Sequence, residues 1–238
     1  CPSFVTVHGA RPKKAVPRKL DAGGFGSGEM PEPVIPALTR SYAVVVTGVG
    51  GTGVVTIGAI LGMAAHLEGK GCGMIDMAGL AQKGGAVFSH VKLAPTPEDI
   101  HAIRVSAGQA DLVLGCDLTV TGSKKVLGAI KPVGATVVVN TAESLGGDFT
   151  RNADYSLPTE RLKRAILSAG GREQTHFVDA TAAAVAFTGN AIAANMFMLG
   201  YAWQFGGVPL SREALLRAIE LNGEAVPMNQ QALELGRR

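Results

Sequence analysis

The stretch that most constrains this chain is Gly48-Val49-Gly50-Gly51-Thr52-Gly53. It follows the unbroken apolar run Tyr42–Thr47 and precedes Val54–Leu67, which carries no formal charge. A continuous apolar run that stops at glycines predicts a strand buried on both faces, and the run after it a helix. Glycines spaced G-x-G-x-x-G between strand and helix suit a phosphate loop. Gly48 would permit the tight turn, Gly50 the approach of backbone to a phosphate, and Gly53 close packing of helix on strand. The start of the helix offers unpaired N–H groups, here around Gly51 and Thr52, and the positive end of its dipole. Asp76 closes the next expected strand, Met74–Met77, about 20 residues on, where a ribose-binding acid would sit. By themselves these residues are compatible with a dinucleotide, with a different phosphate ligand, or with a turn that only packs strand to helix.

The rest of the chain alternates strands and helices. Strands are expected at Ala86–Leu93 (alternating, hence half-exposed), Asp111–Gly115, Thr136–Asn140 and Phe177–Asp179. Helices are expected at Leu118–Ile130, Thr159–Ala169, Ala191–Phe205 and Ser211–Leu221, the last with Ser211 as N-cap and Glu213 in its first turn. This order predicts an α/β fold: a Rossmann-like three-layer domain with a mostly parallel sheet. Residues 1–40, rich in Pro and Gly, predict an extended linker before a domain spanning 41–238.

Composition excludes several classes. The chain is 47% hydrophobic and only 17% charged, too apolar for a disordered segment. Two long stretches, Ser41–Leu67 and Ala180–Ser211, carry no formal charge and are long enough to span a bilayer. Glycines break the first, and Asn190, Asn195 and Gln204 interrupt the second, so both are expected as buried elements and no membrane partner is expected. The first forty residues hold six Lys/Arg and three acids, which leaves sixteen of each in the remainder. A neutral body with few aromatics argues against nucleic acid. Three cysteines, Cys1, Cys72 and Cys116, form neither a disulfide framework nor a zinc motif, so a reducing, cytoplasmic setting and no metal are expected. The histidines are scattered and are expected to be structural. No catalytic residue is assigned.

Between Asp76 and the alternating strand the sequence runs Met-Ala-Gly-Leu-Ala-Gln-Lys-Gly-Gly. A polar, glycine-rich turn replaces the helix that a parallel βαβ unit would need. Gln82, Lys83 and Gly84 suit contact with a polar or phosphorylated ligand or with a neighbouring subunit; a plain surface turn is the default alternative.

Taken together, Val44–Thr56, Met63–Gly69, Asp76–His90, Ala110–Asp117, Asn195–Gln204 and Glu220–Gly223 resemble the gamma subunit or domain of 2-oxoacid:ferredoxin oxidoreductases. The fused, single-chain indolepyruvate type is the nearest match, over about residues 40–238. Cys1-Pro2-Ser3-Phe4-Val5 is similar to the end of a cysteine-bearing stretch that precedes this domain in the fused proteins, so the chain is expected to be a piece of a longer polypeptide.

The resemblance implies a thiamine diphosphate- and CoA-dependent oxidative decarboxylation of an aryl 2-oxo acid to acyl-CoA, CO2 and reduced ferredoxin. Thiamine and the iron–sulfur clusters would lie in other domains, which become this domain's partners together with ferredoxin. The domain alone would be inactive. Gly48, Gly50, Gly51, Thr52 and Gly53, or the turn Gln82, Lys83 and Gly84, would contribute to a CoA pocket. The apolar helix Ala191–Phe205 would cover neighbouring domains. Two rival readings stay open: an independent NAD(P)- or flavin-binding oxidoreductase, and a purely structural assembly module.

Overall fold

Strand β1 (Tyr42–Val49) is buried from Ala43 to Gly48 and divides the structure into two cores. A computed structural model describes residues 6, 8–11, 30–78, 85–144, 152 and 154–238. Val44 and Val46 point into one core with Leu112, Leu114 and Val138. Ala43 and Val45 point into the other with Val113, Val137 and Val139. Burial on both faces is why the run reads as unbroken apolar sequence.

Helix α1 (Val54–Leu67) returns across the first core to β2 (Gly71–Ala78), and β3 (Ala86–Ala94) follows. The chain continues through β4 (Leu112–Gly115), α2 (Leu118–Thr121), α3 (Lys124–Ala129), β5 (Thr136–Asn140), α4 (Thr159–Gly170) and β6 (Thr175–Val178). Four helices close it: α5 (Ala180–Thr188), α6 (Ala194–Gln204), α7 (Arg212–Asn222) and α8 (Val226–Gly236). Among the described residues the strands form one six-stranded sheet in the order β2-β3-β1-β4-β5-β6. β3 is antiparallel to both β1 and β2, while β4, β5 and β6 follow β1 in parallel. The expected α/β, mostly parallel, three-layer architecture is therefore present. The sequence pattern does not place β3: a connection this short can join only antiparallel neighbours, so β2 and β3 pair antiparallel, and β3 lies between β2 and β1. With β1 beside it, β3 is an interior strand: Val87, Ser89, Val91 and Leu93 are buried on one face, while on the other Ala86, Phe88 and Lys92 are only half-buried and His90 and Ala94 are buried, so the expected alternation is kept in part.

The expected helix Leu118–Ile130 is two short helices, broken at Gly122 and Ser123. A Cβ on Gly122 would meet Leu162 Cδ2 of α4 at 2.6 Å, so α4 packs where a side chain would stand. Ser211 caps α7 as expected, accepting from the Ala214 N–H at 3.2 Å.

Helix α6 corrects one expectation. Nine of its eleven residues are buried, under α8, α5, the 3-10 turn Ala191–Ala193 and the sheet. Its apolar circumference is covered by this chain itself and is not free for other domains. Ile192 and Phe205, at its two ends, are the large apolar side chains left exposed. α6 and α8 approach to backbone contact, because a Cβ on Gly200 would strike the Leu233 carbonyl and one on Gly236 the Phe197 carbonyl. No helix among the described residues is long and apolar enough to cross a membrane.

The approach to β1 is pinned. Gln204 donates to the Pro31 carbonyl at 2.7 Å, and Arg237 pairs with Glu32 at 3.1 Å. Buried Asp111 receives Arg40 at 2.8 Å, Lys131 at 3.0 Å and the Ala43 N–H at 3.0 Å. Burial works to raise the Asp111 pKa, but these donors outweigh it, Arg40 foremost, and hold it below the usual range.

Two outcomes follow from this packing. Gly200→Ala should cost about 1–3 kcal/mol in chemical denaturation, because neither backbone can retreat without moving its helix. Because the folded pKa of Asp111 lies below the unfolded one, its contribution is complete above the ordinary carboxylate range and is lost as pH falls through the folded value. Unfolding midpoints followed from about pH 6 to about pH 3 should therefore fall more steeply for the parent chain than for Asp111→Asn.

Candidate functional site

β1 hands the chain to α1 in one helical layer, while its parallel neighbour β4 hands it to α2 in the other. Adjacent strands that leave in opposite directions open a crevice at their carboxyl ends, the usual ligand position in such sheets. A cleft of about 290 Å³ lies there. Its walls come from the glycine loop, from Cys116 and Asp117 after β4, from Asn140 at the end of β5, and from Thr181 and Asn195 of the helical layer.

The loop keeps its glycines, but their tasks differ from the expected ones. A Cβ on Gly48 would stand 2.7 Å from Val54 Cγ2 and 3.1 Å from Cys116 Cβ, so Gly48 permits the close packing of helix and strand. Gly50 donates its N–H to the Gly85 carbonyl at 2.8 Å, which ties the loop to the start of β3. The left-handed turns fall on Gly51 and Gly53, both at φ 85°. Gly53 is also the N-cap of α1 and supplies no side chain. Thr52 turns its hydroxyl back to the Val49 carbonyl at 2.8 Å. Asn195 donates to the Thr52 carbonyl at 2.7 Å and so fixes the loop from α6. Among the described residues, no backbone hydrogen bond uses the N–H of Gly51, Thr52 or Gly53. Gly51 and Thr52 line the cleft, and free N–H groups at a helix start are of the kind that suit an anion.

The opposite wall is polar and already organised. Asn140 donates to Thr181 Oγ1 at 2.9 Å and to the Cys116 carbonyl at 3.3 Å, and accepts from Ala142 and Ala180. It thereby locks the ends of β4, β5 and α5 together. Asp117 caps α2 through the Val120 N–H at 2.8 Å. Burial pushes its pKa up, and the N–H groups of Val120 and Thr119 partly offset this. Glu143 accepts from Thr159 Oγ1 at 2.6 Å. The Cys116 thiol is pushed up to about 12, first by desolvation and then by Asp117, so it is a neutral thiol and no nucleophile at neutral pH. The lining holds two carboxylates and neither Lys nor Arg. Such a cleft can take one anionic group on the loop N–H donors and neutral amides or hydroxyls along Asp117, Glu143 and Asn195. A densely charged ligand lying wholly inside it would meet like charge.

The other residues singled out from sequence fall elsewhere. Gln82, Lys83 and Gly84 lie outside the described residues. Asp76 is two strands from β1, across β3, and accepts from Ser89 Oγ. His90 is buried, with Nδ1 accepting from the Val105 N–H at 2.9 Å, and His176 packs on Phe205 with ring centroids 4.0 Å apart. Glu68 accepts from the Ser211 N–H and pairs with Lys70, a structural role. No group of three His, Cys, Asp or Glu residues could hold a metal among the described residues. Sequence reasoning missed Asp117, Asn140 and Thr181. Their signal was positional, since Asn140 ends one expected buried strand and Asp117 lies two residues past the end of another.

A six-stranded sheet between two helical layers, with a glycine loop at its switch point and an antiparallel β2–β3 pair, defines a three-layer α/β domain. Residues 43–238 match the family model described as pyruvate ferredoxin/flavodoxin oxidoreductase, and the chain belongs to that family. It is 29% identical over 210 residues to the indolepyruvate oxidoreductase subunit IorB of Pyrococcus horikoshii, covering 83% of this chain and 95% of the relative. The subunit of the same name from Thermococcus kodakarensis is 27% identical over 211 residues, covering 83% and 95%. Among solved structures, the gamma subunit of a keto/oxoacid ferredoxin oxidoreductase from Geobacter sulfurreducens aligns with TM-score 0.58 at 23% identity, over 82% of this chain and 96% of that one. Pyruvate oxidoreductase subunit PORC of Thermotoga maritima gives 0.62 at 20% identity, over 84% and 96%. These two share the fold, and all four relatives are subunits of oxidoreductases.

Asn195→Leu should leave the Thr52 carbonyl unpaired and free the loop. Thermal or denaturant unfolding should show a loss of about 1–3 kcal/mol, and Asn195→Asp, which cannot donate, should lose as much.

Proposed function

We propose that this chain is the gamma-type domain of a thiamine diphosphate- and CoA-dependent 2-oxoacid:ferredoxin oxidoreductase acting on an aryl pyruvate such as indolepyruvate, and that its glycine-loop cleft forms part of the CoA site. The carrying observation is the cleft itself: unpaired backbone N–H groups at one end and carboxylate and amide acceptors along the other. One phosphate at the loop and the amide-bearing arm of CoA along Asp117 and Asn195 match that division of chemistry. The match to IorB subunits supports the substrate class. Thiamine and the iron–sulfur clusters would belong to partner domains, joined through residues 1–40, and the isolated chain would not turn over.

The nicotinamide alternative loses its geometric support. It needs Asp76 beside the loop, and β3 stands between them.

In the intact enzyme, Gly51→Ala would strain the left-handed turn and place a methyl group at the N–H donors. KM for CoA should rise about tenfold, equivalent to ~1.4 kcal/mol, while KM for the 2-oxo acid stays constant. Lys83→Ala under the same assay tests the β2–β3 turn. Unchanged CoA KM in both variants would overturn the CoA assignment and favour a purely structural domain.

A further inference from the structure

On the other face of the sheet a second, larger cleft of about 590 Å³ lies over β1 and β3. β2 and β3 pair antiparallel, a link that needs no crossover helix over this face. Residues 104–107 of the connection after β3 border the cleft, anchored where the Val105 N–H meets buried His90. The floor is apolar: Val45, Phe88, Val126 and Ala129. The rim is cationic: Arg104, Lys124 and Lys125. No acid lines the cleft, and among the described residues none of these three cations makes an ion pair. Lys125 Nζ lies 3.9 Å above the centre of the Phe88 ring, which holds the charge over the floor. The field is felt by a neighbour: burial first, then Lys125, Arg104 and Lys92, pull the His90 pKa down.

We propose that this cleft binds a small organic anion carrying two or more negative charges on a compact apolar body. Three cations with no ion pair among the described residues supply the attraction, and the apolar floor supplies contact area that a bare inorganic ion cannot use. The cleft's size falls in the range of small-molecule sites, and α3 and the 104–107 segment flank it. It is separate from the glycine-loop cleft, with which it shares no lining residue. Gly128 of α3 lines the wall, and a Cβ there would meet nothing within 4 Å, so the space in front of it is open.

Titration calorimetry of the full chain and of the assembled enzyme tests this, with phenyl phosphate, phthalate and inorganic phosphate as probes. Phenyl phosphate should bind about tenfold more tightly than inorganic phosphate, through the apolar floor. Phthalate shows whether carboxylates serve as well as phosphates. The Lys124→Glu/Lys125→Glu double variant and Arg104→Glu should each weaken binding at least tenfold. Gly128→Leu keeps every charge and raises helix propensity, and it should weaken binding as much by filling the space. This variant preserves the test if a charge reversal unfolds. Lys163→Glu on α4, outside the cleft, should change nothing. Absence of binding by every probe, or an equal loss in Lys163→Glu, would overturn the proposal. Binding to the free chain that disappears in the assembled enzyme would also overturn it, and would assign the cleft to an acidic segment of a partner.

Discussion

β1 bonds to an antiparallel neighbour along one edge and to a parallel one along the other. Both clefts descend from that asymmetry. On the parallel side, β1 and β4 send their chains into opposite layers and open the crevice at the glycine loop. On the antiparallel side, β3 pairs with both β2 and β1, a link that needs no crossover helix, and a cleft opens on the face above β1 and β3. The same insertion carries Asp76 away from the loop. One hairpin thus removes a nicotinamide-type ribose site and leaves a basic hollow in the second layer.

The helical layer over the first core solves a different problem. Its centre, α6, has almost no polar side chain with which to meet water, and it is enclosed by α5, α8 and the sheet. Enclosure forces the few polar groups there into fixed bonds. Trp203 Nε1 donates to the Leu210 carbonyl at 2.8 Å. Arg237, only 6% exposed, stacks over Trp203 and pairs with Glu234 and Glu32. A charge buried this far would destabilise the fold unless it were paired and hydrogen-bonded. Asn195 is the remaining case, and its single donated bond fixes the glycine loop. The loop's shape therefore rests on the packing of α6 as well as on its own glycines.

Much of this was legible in the sequence. The apolar run before the glycines, the helix after them and the strand at Thr136–Asn140 all carry strong periodic or continuous signals. What escaped had weak ones. α5 reads Ala-Thr-Ala-Ala-Ala-Val-Ala-Phe-Thr, without the polar alternation that marks a surface helix, and α8 starts just after the non-glycine left-handed residue Ala225. The position of β3 is a matter of pairing, which strand propensity alone cannot reveal. The glycine roles were exchanged for a related reason. The motif assigns tasks by spacing, whereas the Cβ clashes depend on how Val54 and Cys116 converge on Gly48.

The two clefts also differ in electrostatic sign, and this constrains how they can be used. The glycine-loop cleft carries Asp117 and Glu143 and offers positive potential only through backbone N–H groups. The second carries Arg104, Lys124 and Lys125 and no acid. Several negative charges clustered together would favour the second cleft, whereas the first would suit a ligand that places one anionic group at the loop, lays a neutral polar portion along Asp117 and Glu143, and keeps any further charge outside. Because β1 separates them, with Val45 facing one side and Val46 the other, an occupant of either reaches the other only through the strand's backbone or around its carboxyl end. At that end the Gly50 N–H holds the Gly85 carbonyl, so the glycine loop and the start of β3 must move together.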